Sequence, residues 1–271
     1  TGAAQTICEV ETPALFTFTT SPSDGDGNYD YQWRVSSTDA SYSDIGAATL
    51  ATYSPGPLTS SWWYKAKVSS CGVDKWTDGF KITVEPTTVK GTISSAATVC
   101  SGNNGGTLTL AGHTGSVTKW QSSTTSSSTG FSDITNITTT ENYSNLTETT
   151  WYRAVVKSGV CNSLTTDAIE ITVDATSAGG SITAADSVCH GSNGATLTLA
   201  NYTGSVTKWE KNVAGAGWTD IVNTSDTQTY SNLTATTLYR AVVTSGSCVA
   251  ANSSNVQITV RDPLTAGEIG W

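Results

Sequence analysis

The stretch Tyr143 to Cys161, YSNLTETTWYRAVVKSGVC, returns nearly intact as Tyr230 to Cys248, YSNLTATTLYRAVVTSGSC. A worn copy sits earlier, Tyr53 to Cys71, YSPGPLTSSWWYKAKVSSC. Each copy has a Leu six residues before a Tyr (Leu58/Tyr64, Leu146/Tyr152, Leu233/Tyr239), then a short β-branched run and a Cys. A repeat of about 88 residues means one folding unit written three times. The expected modules are residues 1–85 (divergent and acidic), 86–174 and 175–262, with 263–271 (PLTAGEIGW) opening a truncated fourth.

Within each module, short alternating segments are separated by Gly, Asn, Asp and Ser. Thr107–Trp120 and Thr196–Trp209 share twelve of fourteen residues. Seven or so short strands per unit predict an all-β fold of three tandem Ig/fibronectin-III-like antiparallel β-sandwiches arranged as a rod. In module 1 the run Ala14–Thr19 (ALFTFT) alternates like a half-buried strand. Trp33, Trp120 and Trp209 are expected at the centre between sheets. Tyr64, Tyr152 and Tyr239 read as tyrosine corners, the ring in the core and the hydroxyl bonded to backbone just upstream. The tetrads at Tyr42, Phe131 and Trp218 (aromatic, Ser or Thr, Asp, Ile) read as core and turn pieces.

Six cysteines fall two to a module, at nearly the same spacing each time: Cys8 and Cys71, Cys100 and Cys161, Cys189 and Cys248. Matched spacing predicts the within-module bonds Cys8–Cys71, Cys100–Cys161 and Cys189–Cys248 among fifteen connectivities. Such bonds imply an oxidising compartment, and so an extracellular or cell-surface protein. The longest apolar runs are four or five residues, too short to insert in a membrane. The net charge of −9 is spread as −5, −2 and −1 over the three modules, with Glu268 completing it. No basic stripe exists for nucleic acid.

Catalysis has little to stand on. The two histidines, His113 and His190, lie in different modules, and neither G-x-S-x-G, H-E-x-x-H nor a P-loop occurs. No resident cofactor is expected and the chain reads as non-enzymatic. Asp24, Asp26, Asn28 and Asp30 alternate as oxygen ligands do in calcium loops, but Tyr29 stands where an EF-hand needs Gly and no Glu closes the loop. A plain Asp/Gly turn is the favoured reading and calcium the alternative. Trp63 and Trp76 are the candidate ligand-binding aromatics, suited to stacking on a sugar ring, with a surface polysaccharide as the partner. Trp76 has no counterpart in the other modules.

The segments VCSGNNGGTLTLAG (99–112), GSVTKWQSS (115–123), FSDI (131–134) and the Tyr143–Cys161 block together resemble the repeats of very large Bacteroidota surface proteins. The nearest are the SprB-like gliding-motility adhesins exported by type IX secretion. The resemblance covers all three modules, although module 1 departs before its Trp and at CGVDKW (71–76). It implies structural spacer repeats of a filamentous adhesin that project adhesive regions and bear tension during attachment or gliding. It brings no catalytic residues. Neighbouring repeats of the same chain are then the main partners, and the fragment is expected to be monomeric. Two other roles stay open: a carbohydrate- or ligand-binding function for module 1, and an accessory region of a secreted enzyme.

Overall fold

The computed structural model describes residues 3–183, 186–264 and 267. Among them every regular element is a strand. Three units follow one another, each with its own buried cluster, centred on Trp33, Trp120 and Trp209 respectively.

The larger sheet has one plan in all three. In module 2 its order is Ser132–Ile134, Ser116–Ser123, Thr150–Lys157, Ile169–Asp174, Ala97–Cys100, with Leu164–Thr165 also paired to Thr150–Lys157. In module 3 the corresponding order is Trp218–Ile221, Ser205–Val213, Thr237–Thr244, Val256–Arg261, Asp186–Cys189. In module 1 it is Ser43–Asp44, Asp30–Ser36, Trp62–Ser70, Phe80–Glu85, Gln5–Cys8. The sheets are antiparallel except at one edge. There the strand carrying the first cysteine lies parallel to the module's last strand, in the register Cys8↔Glu85, Cys100↔Asp174 and Cys189↔Arg261.

The second layer is a three-stranded sheet in modules 2 and 3. It contains Val89–Ser94, Gly105–Thr114 and Thr140–Ser144 in one, and Ser181–Thr183, Gly194–Ala200 and Thr227–Ser231 in the other. Module 1 differs. Its Ala14–Thr19 run keeps the expected alternation at Phe16, which is 1% exposed, but forms only the isolated bridge Phe16↔Tyr53. Aromatic packing holds this layer where hydrogen bonds do not: Phe16 contacts Trp33, Tyr53, Tyr64 and Phe80 with ring centroids 4.9–6.0 Å apart.

The central Trp is almost fully buried in each module, and its indole N–H donates to a backbone carbonyl: Leu50 at 3.0 Å, Thr138 at 2.9 Å, Ser225 at 2.9 Å. Tyr64, Tyr152 and Tyr239 bury their rings as expected. Their hydroxyls, however, make none of the described hydrogen bonds, so the corner is not closed by tyrosine. Asparagine closes it instead in modules 2 and 3. The Asn104 amide donates to the carbonyls of Cys100 (2.6 Å) and Leu146 (2.7 Å) and accepts from Leu146 N (2.9 Å). Asn193 does the same for Cys189 and Leu233. The expected opening of a fourth module at 263–271 falls mostly outside the described residues.

Candidate functional site

The disulfides correct the sequence expectation. Cys8 bonds Cys161 and Cys100 bonds Cys248, so each bridge joins one module to the next, while Cys71 and Cys189 are free and exposed. None of the expected pairs Cys8–Cys71, Cys100–Cys161 and Cys189–Cys248 forms. Strand direction gives the reason. Trp62–Ser70 starts opposite Ile82 and runs away from Glu85, where Cys8 sits. Cys8 and Cys71 therefore lie at opposite ends of module 1, about 40 Å apart at ~3.3 Å per residue. A disulfide needs Cα atoms within about 7 Å. The other two modules repeat this separation. The first cysteine of a module can reach only what lies beyond its C-terminal end, and that is the turn after the Tyr strand of the next module.

Both junctions are built alike. In the first, Cys161 Sγ packs 3.4 Å from the Pro86 carbonyl; being disulfide-bonded, it has no proton to donate. Ser158 N donates to Thr88 Oγ1 at 3.0 Å, and the Glu9 carboxylate accepts from Thr87 Oγ1 at 3.1 Å. In the second, Ser245 N donates to Ser177 Oγ at 2.9 Å, and the Asp174 carboxylate accepts from Ser247 N at 2.7 Å and Ser247 Oγ at 3.0 Å. The turns need their glycines. Gly159 and Gly246 both sit at φ +46, and a Cβ would fall 2.6 Å from Glu85 Cγ in one and 2.0 Å from Asp174 Oδ2 in the other. The bridges close stretches of 153 and 148 residues. In the chain-entropy model a single loop of that size contributes about 5 kcal/mol.

The outer face of each larger sheet carries a second repeated motif. Each tetrad aromatic lies under a cation, with Tyr42 buried and Phe131 and Trp218 partly exposed: Lys65 over Tyr42 (4.0 Å), Arg153 over Phe131 (3.7 Å), Arg240 over Trp218 (4.1 Å). In module 3 the cations continue into an ion-pair network, with Arg240 to Glu210 at 2.6 Å, Lys208 to Glu210 at 2.8 Å and Lys208 to Asp220 at 2.7 Å. Modules 2 and 1 put Gln121 and Arg34 at the Glu210 position. The core-and-turn expectation holds for the buried Tyr42, whereas Phe131 and Trp218 form a partly exposed clasp with their arginines.

Module 1 has a cleft of about 460 Å³ lined by Phe18, Asp24, Tyr29, Val73, Lys75 and Trp76 among others. It joins the Asp24–Asp30 turn to Trp76, two features without counterparts elsewhere in the chain. Trp76 is 47% exposed, with Arg34 and Lys65 each 5.1 Å from its ring. Trp63 does not reach the cleft; it is half-buried on the neighbouring strand, opposite Ser36 and Lys81. Two of the turn's oxygens are already engaged within the protein. Asp26 accepts from Asn28 N (3.0 Å) and Ser70 Oγ (2.8 Å), which hold its carboxyl below the usual range, and the Asp24 carbonyl accepts from the Tyr29 hydroxyl (2.6 Å). No three Asp, Glu, His or Cys side chains gather among the described residues.

Fold and junctions together define three tandem Ig-like sandwiches with staples between neighbours. The chain belongs to the family described as a domain of unknown function (DUF8696), whose pattern matches residues 1–86, 89–175 and 178–262. No curated protein matches it in sequence. Among solved structures it is similar to domains A168-A170 of titin at 11% identity, covering 95% of this chain and 96% of that one with a TM-score of 0.41. It is also similar to Sidekick-1 immunoglobulin domains 1-5 at 16% identity, covering 97% of this chain and 58% of that one with a TM-score of 0.32. The N-terminal four Ig domains of Dscam1 isoform 6.9 are similar at 11% identity, covering 96% and 73% with a TM-score of 0.33.

Proposed function

We propose that the chain is a non-catalytic, load-bearing spacer of an extracellular surface adhesin, of the filamentous kind used for attachment or gliding and exported by type IX secretion. One observation carries this reading: both disulfides join successive modules and none lies within a module. A bridge inside a sandwich stabilises that sandwich alone. A bridge across a junction limits how far the chain can lengthen when one of the joined modules unfolds, a property that matters under tension. The bonds also favour an oxidising location outside the cell. The test is made on the cells that produce the protein. Antibody to the chain should label intact cells, and replacing Cys8 and Cys100 by Ser should lower the fraction that holds on under shear. A protein confined to the cytoplasm, or attachment unchanged by both substitutions, refutes the role.

A second reading concerns module 1 alone. The cleft that brings the Asp24–Asp30 turn to Trp76 suits a sugar ring stacked on the indole, with the turn's polar groups beside it. A glycan array is expected to show hits that W76A abolishes. Hits unchanged in W76A, or an empty array, exclude it.

A further inference from the structure

The two staples follow one rule: the cysteine ending the first strand of a module's larger sheet takes the cysteine of the Ser-Gly-x-Cys turn in the module that follows. Cys8 takes the Cys161 of SGVC, and Cys100 takes the Cys248 of SGSC. Cys189 occupies the same place in module 3. It ends a strand parallel to the module's last strand, opposite Arg261, as Cys100 stands opposite Asp174. Its flanking backbone is held by the same bonds. His190 N donates to Arg261 O (3.0 Å) and Gly191 N to Leu233 O (2.9 Å), against Ser101 N to Asp174 O (2.9 Å) and Gly102 N to Leu146 O (2.8 Å). Cys8, covered by the next module, is 7% exposed; Cys189 is bare.

We infer that the C-terminal end of module 3 is a preformed docking site for a further tandem module of this type, attached beyond Arg261 and locked by a disulfide from Cys189 to that module's Ser-Gly-x-Cys turn. The seat does not wait for its partner to be shaped, since its backbone already matches that of the two occupied seats. Closing the bond takes two protons and two electrons from the two thiols and passes them to a disulfide oxidant, which leaves as a dithiol. One feature distinguishes this seat. Arg261 stands where Glu85 and Asp174 present a carboxylate to the incoming turn. The incoming turn therefore meets a cation, which favours an acidic side chain or bare carbonyls over the Ser247 N–H and hydroxyl that Asp174 accepts.

The inference rests on the staple geometry and not on the adhesive role, so the two can fail separately. The test extends the full chain after Arg261 with a second copy of residues 175–262, in the native form and with R261D, which restores the carboxylate that this copy's turn expects. After oxidation, non-reducing peptide mapping should find Cys189 joined to the copy's counterpart of Cys248, with at least a tenfold loss of Cys189 alkylation in the R261D form. Replacing that counterpart by Ser should return Cys189 to full alkylation while Cys8–Cys161 and Cys100–Cys248 stay closed. A Cys189 that alkylates fully in both extended forms, or that links two chains instead, overturns the inference.

Discussion

Stretching the protein between its two ends, with and without reductant, isolates the staples from everything else in the fold. With Cys8–Cys161 and Cys100–Cys248 closed, the shortest covalent route runs from Thr1 to Cys8, crosses to Cys161, returns along module 2 to Cys100, crosses to Cys248 and goes on to Trp271. Counted along the chain, that route is about a third of the path that exists without the bridges. At ~3.6 Å per extended residue the contour limits are about 330 and about 970 Å. Reduction therefore releases roughly 640 Å. Single-molecule force spectroscopy reads this directly, as the total extension before detachment. Oxidised molecules should stop near the shorter limit however many modules unfold, and reducing agent should restore the longer one. The within-module pairing would hide roughly 660 Å in three separate steps, at the same length per residue. Totals that close are told apart by single variants. C161S alone should free the stretch back to Cys8 and leave the Cys100–Cys248 bridge as the one limit, so its 148 residues stay hidden. That is roughly 530 Å of contour, against roughly 440 Å for the two bridges that the within-module scheme would keep. An oxidised chain that extends to the full contour refutes the staples outright.

Three further outcomes follow from the modules themselves. W209A removes a fully buried indole and its bond to the Ser225 carbonyl, and should cost about 3–5 kcal/mol of module 3 stability in urea melts. N104A opens the clamp on Leu146 and leaves the Cys100 and Leu146 carbonyls without that partner, with an expected loss of about 2 kcal/mol in the same assay and little effect on module 3. Burial pulls the Glu210 carboxyl upward, but the hydrogen bonds and charges of Lys208 and Arg240 outweigh it and hold the group below its ordinary 4.5. A depressed folded value means the contribution is complete above about pH 4.5 and fades as pH falls through the lower folded value. E210Q should flatten the acid limb of the module 3 melting curve, and a limb unchanged by that substitution counts against the ion-pair network.

Much of this fold is legible from repetition alone. The module count, the all-β class, the central tryptophans and the alternation at Phe16 follow from residue spacing and from what a sandwich core must bury. What escaped had local causes. Asn104 and Asn193 sit in Gly/Asn turns that look generic, and their clamp appears only once Leu146 and Leu233 are brought across the module. The tetrad aromatics look like core because they are large and repeated, and Tyr42 is buried; it is the stacking of Arg153 and Arg240 that sets Phe131 and Trp218 at a partly exposed face. The cysteines are the instructive case. A pairing within repeats and a pairing between successive repeats leave the same periodic mark on the sequence. The datum that separates them is that Cys8 lies parallel to Glu85 at one end of the module while Cys71 follows a strand running to the other.

The staples also interlock, and this changes what a pull can reach. The stretch from Cys100 to Cys161 lies inside both bridges, so the two crossings are joined by three covalent paths: residues 8–100, 100–161 and 161–248. The shortest of these is the body of module 2, and it comes taut first. The other two still have slack at that point, so residues 8–100 and 161–248 stay off the tensed path, while the body of module 2, the Gln5–Cys8 strand and the Val256–Arg261 strand carry the load. In a row of unlinked sandwiches the weakest one yields and adds its full length to the tether. Here the yielding of any one adds at most the slack its staples allow, and neighbours related by this rule back one another up. Cys71 and Cys189 make no such bridge within this chain.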